Sequence, residues 1–193
     1  MSSTQVNLLL SGGIDSTAAL FYYKKKGYQV NTYFIHYGHA VNDVEYEHAK
    51  VVSKHYDTKL NILKFIGVSY SEEYEITGRN AFLILSVLMA DQTYKGLIST
   101  GIHKGSTYYD CGENFLITMR TLVDGYTGGS VQLDFPFFEM TKSEIVTFCK
   151  LNEVPIEKTY SCEVGHDKPC GKCPSCLERS NALKSTRDVV KGS

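Results

Sequence analysis

Apolar and polar positions succeed one another along this chain in blocks that predict strands and helices in turn. The first apolar run ends at Leu10, a short polar turn follows, and an amphipathic segment begins at Ala18. Such a succession is typical of a buried strand, a tight turn and a helix. Further strands are predicted at residues 29–35, 59–63, 96–100 and 131–133. Helices are predicted at residues 43–56, 80–94 and 112–125, and from residue 141 onward.

Two of the predicted helices carry start signals. Asn80 precedes the most apolar helix and is predicted as its N-cap. Thr141 is followed three residues later by Glu144, which predicts a capping box. Residues 65–77 are polar and lack a clear period, so a loop is predicted there.

Strands that alternate with helices of this length predict an α/β fold, with a mostly parallel sheet covered on both faces. Ligands of such sheets bind beyond the carboxyl ends of the strands. That edge collects three loops, at residues 11–17, 36–39 and 101–105. The chain from residue 155 is short and rich in cysteine, so two parts are predicted, 1–154 and 155–193.

The turn after the first strand reads S-G-G-I-D-S-T, from Ser11 to Thr17. Glycine lets the backbone approach a ligand closely, and the helix N-terminus directs unpaired N–H groups into the turn. Ser11, Ser16 and Thr17 add hydroxyl donors, so the turn is predicted to bind a chain of phosphates. Neither G-x-x-x-x-G-K-[ST] nor G-x-G-x-x-G is present. The alternative is an ordinary glycine turn.

Composition narrows the class of protein. The 193 residues are 42% hydrophobic and carry a formal net charge of -1, which suits one globular domain with a small appendage. This charge implies no strong attraction to nucleic acid or to membranes. The most apolar stretch, residues 81–90, is too short to span a bilayer, and no signal segment opens the chain. We therefore expect a cytoplasmic protein, in which cysteines are more often metal ligands or core thiols than disulfides.

Four of the six cysteines lie close together in the sequence, as C-x7-C-x2-C-x2-C: Cys162, Cys170, Cys173 and Cys176. Thiolates at this spacing suit one tetrahedral Zn²⁺, so we predict a structural zinc site. Two alternatives stay open, which are His166 replacing one thiolate and redox or sulfur-carrier chemistry through a C-x2-C pair. Cys111 and Cys149 are predicted to be unliganded, with Cys149 in the core.

The S-G-G-I-D-S-T turn resembles the PP-loop of the ATP pyrophosphatases, and together with the cysteine motif the chain resembles the 7-cyano-7-deazaguanine synthases of the queuosine pathway. Shorter family-like pieces lie between the two motifs: Tyr37-Gly38, residues 45–49, Gly78-Arg79-Asn80 and residues 108–111. The resemblance implies a Rossmann-like fold of the HUP (adenine nucleotide alpha hydrolase-like) type.

The same resemblance implies a ligase that forms C–N bonds. It would adenylate 7-carboxy-7-deazaguanine, release pyrophosphate, and combine the acyl adenylate with ammonia. A second activation would convert the resulting amide to 7-cyano-7-deazaguanine. The implied cofactors are ATP with Mg²⁺ and a structural Zn²⁺, and the implied assembly is a homodimer.

Residue roles follow from the matching motifs, as what the resemblance implies. The catalytic set is Ser11, Asp15, Ser16 and Arg79. The nucleotide site is Leu10, Ser11, Gly12, Gly13, Ile14, Asp15, Ser16, Thr17, Ala18, Ala19 and Leu20, with Ser11, Gly12, Gly13, Ser16 and Thr17 on phosphates. Asp15 would brace the turn or contact Mg²⁺. The substrate set is Tyr37, Arg79, Asn80, Tyr108, Tyr109 and Asp110, where Asp110 would read the deazaguanine edge and Tyr108 or Tyr109 would stack on its ring.

Simpler interpretations stand beside these roles. Arg79 is alternatively a solvated surface charge, and Asp110 with the two tyrosines a loop acid and core rings. His36, His39 and His103 lie on the predicted ligand edge but are expected to be structural.

The chain departs from the family pattern near the expected substrate. Residues 65–77 are shorter than the matching family segment, Gly112 follows Cys111 in place of a basic residue, and residues 103–105 differ from the usual loop. The chain could therefore be an enzyme that stops at the amide, or one that joins the activated carboxylate to another amine, including one on a protein. A PP-loop tRNA sulfurtransferase and a non-catalytic nucleotide-binding subunit are two further functions that the motifs allow.

Overall fold

The computed structural model describes residues 4–67, 76–103, 105, 108–164 and 168–186. The strands of this part of the chain are β1 (Gln5–Leu9), β2 (Gln29–His36), β3 (Leu60–Lys64), β4 (Gly96–Ser99) and β5 (Val131–Asp134). Its α-helices are α1 (Ile14–Lys25), α2 (Asn42–His55), α3 (Arg79–Ala90), α4 (Glu113–Thr127), α5 (Lys142–Leu151) and α6 (Pro174–Ser185). Short 3₁₀ helices occupy Tyr109–Cys111 and Ile156–Lys158.

The five strands form one sheet in the order β3-β2-β1-β4-β5, and each neighbouring pair is parallel. The chain runs outward from β1 through β2 to β3 and then returns to β4 on the other side of β1. The strand order therefore reverses between β1 and β4, where the connecting segments leave toward opposite faces. Such a reversal opens a crevice at the carboxyl edge of the sheet.

Helices cover both faces of the sheet, as the alternation of elements predicts. On one face, α1, α2 and α5 pack with the sheet around buried residues such as Leu20, Val52 and Ile145. On the other face, α3 and α4 pack around Ile84 and Leu116. Both faces of β1 are buried, and its side chains from Val6 to Leu9 are apolar except for Asn7. The predicted α/β class with a parallel sheet is confirmed.

Most predicted elements are present with bounds shifted by one to three residues. The capping box is confirmed, because Thr141 Oγ1 accepts from the Glu144 N–H at 3.3 Å and Glu144 Oε2 accepts from the Thr141 N–H at 2.7 Å. Residues 65–67 belong to no helix or strand, in line with the predicted loop, while 68–75 lie outside the described residues.

The predicted start of α3 is wrong. Gly78, in the left-handed region with φ of 76°, is the N-cap, and Asn80 lies within the first turn. The main-chain N–H of Asn80 is instead satisfied by a remote carboxylate oxygen, Asp110 Oδ2, at 3.0 Å. The helix also ends at Ala90 rather than near Tyr94, because Asp91 adopts an extended conformation.

The C-terminal helix packs on the main body of the protein. Helix α6 contacts α5, and its Ala182 belongs to the same buried cluster as the side chains of α1. The division into 1–154 and 155–193 stays a prediction. Among the described residues, no helix has the length and apolar character needed to cross a membrane.

Candidate nucleotide and substrate cleft

A cleft of about 540 Å³ lies at the carboxyl edge of the sheet. The turn after β1, the end of β2 and the loop after β4 form its floor. Its walls come from the start of α3, the start of α5 and the cysteine-rich loop. The cleft therefore joins the turn at residues 11–17, called the phosphate-type turn below, to the segment that carries Arg79.

The turn at residues 11–17 requires glycine at its second position. Gly12 has φ of 79°, and a Cβ there would lie 2.7 Å from the main-chain nitrogen of Ala49. Gly13 is the N-cap of α1, and its N–H lies 3.3 Å from Ser11 Oγ. The turn is thus pressed against α2, and the Gly13 N–H is directed at the Ser11 hydroxyl.

The predicted nucleotide residues fall into two groups. Leu10, Ser11, Gly13, Asp15 and Ser16 line the cleft. The other members shape the turn or fill the core: Gly12, Ile14, Thr17, Ala18, Ala19 and Leu20. Thr17 is fully buried, and its hydroxyl donates to the Gly13 carbonyl at 2.8 Å. Its predicted contact with phosphate therefore has no support in this geometry.

Asp15 lies beside a lysine that the sequence motifs do not reveal. Lys142 Nζ is 2.6 Å from Asp15 Oδ2 and 3.9 Å from Glu178 Oε2. His103 Nε2 is 3.8 Å from the same Asp15 oxygen. Lys142 is the first residue of α5, so the capping box at Thr141 fixes where its side chain enters the cleft. The capping box predicts where α5 begins, but it does not predict the partner of Lys142.

The second carboxylate oxygen of Asp15, Oδ1, is buried and has no hydrogen-bond partner in the described part of the chain. A buried unpaired carboxylate oxygen is costly. Carboxylate oxygen is also the protein ligand that Mg²⁺ prefers. Asp15 therefore fits the expected contact with the magnesium ion of MgATP, and it fits the bracing role as well, through Lys142.

The predicted substrate residues are only partly brought together. Tyr37, Arg79, Asn80 and Tyr108 line the cleft. Tyr109 is 66% exposed, and its ring meets Phe115 edge to face. Because Arg79 lines the cleft, it is not an isolated surface charge. Stacking of Tyr109 on the substrate has no support in this geometry.

Asp110 is occupied by the start of α3. Its Oδ2 accepts from the Asn80 N–H, and its carbonyl accepts from Asn80 Nδ2 at 2.9 Å. The pair fixes the turn from which Arg79 projects. Asp110 does not line the cleft, so its predicted reading of the substrate edge stays a prediction.

The three histidines of the ligand edge have separate environments. His36 pairs with Asp43 at 3.0 Å. His39 stacks on Tyr37, with ring centroids 6.0 Å apart, and burial together with nearby Arg79 lowers the pKa of its imidazole. His103 is the member of the group that lines the cleft.

The four clustered cysteines form a closed group. The sulfurs of Cys162, Cys170, Cys173 and Cys176 lie within 4.8 Å of one another. Main-chain N–H groups of Lys172 and Cys173 lower the pKa of the Cys170 thiol to about 6, whereas burial raises the pKa of the Cys173 and Cys176 thiols. The close grouping of the four sulfurs is what suits them to surround one ion. The cluster can therefore hold a metal ion.

The remaining thiols lie elsewhere. Cys149 is fully buried in α5, as predicted for a core residue. Cys111 Sγ lies 3.6 Å from Asn80 Nδ2, at the edge of the cleft. His166 falls outside the described residues.

Comparison with known proteins identifies the family. A model of the family described as "Queuosine biosynthesis protein QueC" matches residues 5–74 and 68–187. The chain belongs to the QueC family. QueC-family relatives named 7-cyano-7-deazaguanine synthase include one from Sulfurihydrogenibium sp., 30% identical over 216 residues and covering 96% of this chain and 97% of the relative. Another, from Aquifex aeolicus, is 30% identical over 210 residues and covers 92% and 95%.

Solved structures show how widely the QueC fold is shared. NMN synthetase from Francisella tularensis superposes with a TM-score of 0.53 at 17% identity, over 96% of this chain and 86% of that one. The U34-tRNA thiolase NcsA from Methanococcus maripaludis, with its [4Fe-4S] cluster, gives 0.52 at 15%, over 99% and 68%. At these identities the likeness shows the fold alone. Family and fold together make the chain a QueC-like enzyme.

Proposed function

We propose that this chain is an ATP-dependent ligase that adenylates 7-carboxy-7-deazaguanine and, with ammonia, converts it through the amide to 7-cyano-7-deazaguanine. The observation that carries the proposal is that the phosphate-type turn and Arg79 open into one cleft. An enzyme that joins two anions must hold both close together and offset their repulsion. The cleft supplies cationic and N–H groups for both.

The nucleotide end of the cleft is built around the leaving group. Ser11, Gly13 and Ser16 face the pyrophosphate with hydroxyl and main-chain N–H donors. The Ser16 hydroxyl, which donates to the Gly13 carbonyl at 3.2 Å, would have to turn to the phosphate when ATP binds. Lys142 adds the positive charge that the turn itself lacks, and it moves from Asp15 to a phosphate oxygen when MgATP binds. Asp15 would then hold the magnesium ion of MgATP through Oδ1, which has no partner, and through Oδ2, which Lys142 leaves.

The substrate end of the cleft holds the acid. Arg79 pairs with its carboxylate, and the ring of Tyr108 packs against the heterocycle. Asn80 and Asp110 hold Arg79 in place through the first turn of α3. Tyr37 closes the wall at the end of β2.

The chemistry follows from this placement. A carboxylate oxygen attacks the α-phosphorus of ATP. The bond from that phosphorus to the oxygen shared with the β-phosphate breaks, and pyrophosphate leaves. Ammonia then attacks the acyl carbon, and AMP leaves with the oxygen that came from the carboxylate. A second ATP activates the amide oxygen, and loss of AMP gives the nitrile.

We also propose that the cysteine cluster holds Zn²⁺ and has a structural role. Four thiolates around one tetrahedral ion, at about 2.3 Å each, lie within about 4 Å of one another. This agrees with the close grouping of the four sulfurs. A [4Fe-4S] cluster, which holds each thiolate on a different iron, needs them farther apart. Metal analysis by mass spectrometry distinguishes the two.

Product identification tests the proposed function. The purified chain is incubated with 7-carboxy-7-deazaguanine, ATP, Mg²⁺ and ammonia, and the products are resolved by mass spectrometry. We expect AMP, pyrophosphate and the nitrile. The amide alone would favour an enzyme that stops at the amide. A conjugate with an added protein would favour one that joins the activated carboxylate to an amine on a protein. ADP as product would reject the proposal.

Two further candidates have separate tests. The first is a tRNA sulfurtransferase that carries sulfur as a persulfide on a cysteine, and a U34-tRNA thiolase shares the fold. Cys170→Ser would then abolish sulfur transfer without loss of metal or stability. A non-catalytic subunit would bind ATP and never cleave it with any of these substrates. We further propose that the protein is a cytoplasmic homodimer. Sedimentation of the purified chain would test its oligomeric state.

A further inference from the structure

Four carboxylates line the cleft in the described part of the chain: Asp15, Glu45, Glu163 and Glu178. Three of them have a clear partner. Asp15 and Glu178 face the ammonium group of Lys142, at 2.6 and 3.9 Å. Glu163 accepts from the hydroxyl of Ser175 at 2.9 Å and from its N–H at 3.4 Å, in the first turn of α6. The fourth carboxylate, Glu45, pairs with neither Lys142 nor Ser175.

Glu45 is held directly beside the phosphate-type turn. It lies in the first turn of α2, and its carbonyl oxygen would be 3.0 Å from a Cβ on Gly12. Its Oε2 accepts from the side-chain amide of Asn42 at 3.3 Å. Asn42 is locked in turn, because its Oδ1 accepts from the N–H groups of Tyr37 and His39, each at 3.0 Å. The carboxylate therefore has a fixed orientation at the wall of the cleft.

The surroundings of Glu45 set its protonation. Burial raises the pKa of its carboxyl to about 7, against the opposing effects of Arg79 on α3 and of Asn42, and Glu163 adds to the rise. His39 faces the same groups, and burial and Arg79 lower the pKa of its ring. Near neutral pH the cleft thus contains a carboxyl group that can take up or release a proton. A group whose pKa lies near the working pH is well suited to proton transfer.

We propose that Glu45 is the general base that accepts a proton from the amine as the amine attacks the acyl adenylate. The proposal rests on the proposed function, since it concerns the step that follows adenylation. The nitrogen lone pair forms the C–N bond, and the bond from the acyl carbon to the adenylate oxygen breaks with its electron pair on AMP. One proton moves from nitrogen to the Glu45 carboxylate, which later releases it to water.

Glu45→Gln tests the proposal, because glutamine keeps the shape and can still accept from Asn42 but cannot take up the proton. Two rates are measured with 7-carboxy-7-deazaguanine: ATP–pyrophosphate exchange, which reports adenylation, and amide formation from ammonia. We expect exchange within about threefold of the unmodified chain and amide formation lowered about 100-fold or more. Hydroxylamine is a weakly basic amine that loses its proton to water more easily. With hydroxylamine in place of ammonia, Glu45→Gln should therefore lower the rate of product formation less.

The matched control is Glu47→Gln, on the same helix. The Glu47 side chain is exposed and pairs with Lys50 at 2.7 Å, so both rates should stay unchanged. An equal loss of exchange and amide formation in Glu45→Gln would overturn the proposal, because Glu45 would then act in adenylation or in the fold. Unchanged amide formation would overturn it as well.

Should Glu45→Gln fail to fold, the unmodified chain decides. At a constant concentration of neutral ammonia, amide formation should rise with pH around a midpoint near 7, the value that burial gives the carboxyl, while exchange does not follow it. A flat profile for amide formation contradicts the proposal. A chain that shows no exchange at all with this acid rejects the proposed function itself, which is a separate result.

Discussion

The main-chain N–H of Tyr160 donates a hydrogen bond of 3.0 Å to the carbonyl oxygen of Gly12. Tyr160 precedes Cys162, the first cysteine of the cluster, by two residues, and its ring stacks on His48 of α2, with centroids 5.1 Å apart. Arg179 of α6 ties the same segment down through Thr159 Oγ1 at 2.7 Å. The cysteine cluster and the phosphate-type turn are therefore parts of one continuous structure.

This connection predicts that metal removal weakens nucleotide binding. Loss of the metal, by chelation or by Cys170→Ser, should loosen the segment that holds the Gly12 carbonyl. One hydrogen bond of this kind contributes about 1 kcal/mol, so the affinity for a non-hydrolysable ATP analogue should fall about fivefold or more. Calorimetric titration measures the change, and added Zn²⁺ should restore the chelated protein. Unchanged affinity in metal-free protein would show that the two sites are independent.

Gly12→Ala should be far more damaging than the same change at Gly27. Both glycines have φ near 80°, at 79° and 78°, but a Cβ on Gly12 meets the Ala49 nitrogen at 2.7 Å whereas nothing lies within 4 Å of one on Gly27. The Gly27→Ala variant should therefore lose about 1 kcal/mol of unfolding free energy, from backbone strain alone. The Gly12→Ala variant should lose several times that amount together with ATP binding.

Urea unfolding and nucleotide titration measure both glycine variants. Equal losses of stability in the two would mean that the contact with α2 does not constrain the turn.

Lys142→Met should impair adenylation more than stability. The substitution removes the cation expected to meet the leaving pyrophosphate, so kcat/KM for pyrophosphate release should fall about 100-fold, which corresponds to about 2.7 kcal/mol of transition-state stabilisation. The control is Lys150→Met on the same helix, where the ammonium group bonds to the Leu183 carbonyl at 3.3 Å, away from the cleft. That variant should lose stability and keep its kinetics. Normal kinetics in Lys142→Met would remove this residue from the nucleotide site.

Glu45 should make stability depend on pH in a known direction. Because burial raises the pKa of its carboxyl to about 7, the folded chain binds more protons than the unfolded chain between pH 4.5 and 7. Stability from this group is therefore present at low pH and lost as the pH rises through the folded pKa. Between pH 6 and pH 8 the unfolding free energy should fall by on the order of 1 kcal/mol more in the unmodified chain than in Glu45→Gln. Urea unfolding at the two pH values tests this, and an identical pH dependence would contradict it.

Local sequence signals predicted much of the fold and part of the site. The parallel sheet follows from apolar strands that alternate with helices, and the cysteine cluster follows from spacing, because both are local patterns. Ser11, Gly13, Asp15 and Ser16 reach the cleft because a single strand–turn–helix unit determines where they lie.

Contacts between distant parts of the chain were not predictable in this way. Lys142 meets Asp15 across 127 positions of sequence, and nothing near either residue indicates the pairing. Asn80 is a residue type that is favoured at an N-cap. In the structure a carboxylate 30 positions away accepts from its N–H, and the N-cap is Gly78. Glu45 looks like an ordinary acidic residue of a helix start, and only the folded surroundings raise its pKa.

The central claim is that the cleft forms an acyl adenylate, and oxygen transfer tests it most directly. The carboxylate of 7-carboxy-7-deazaguanine is labelled with ¹⁸O, and the nucleotide products are analysed by mass spectrometry after reaction with ATP and ammonia. The account predicts that the label appears in AMP, because the oxygen that attacks the α-phosphorus leaves with it. Label in inorganic phosphate, with ADP as the nucleotide product, would contradict it.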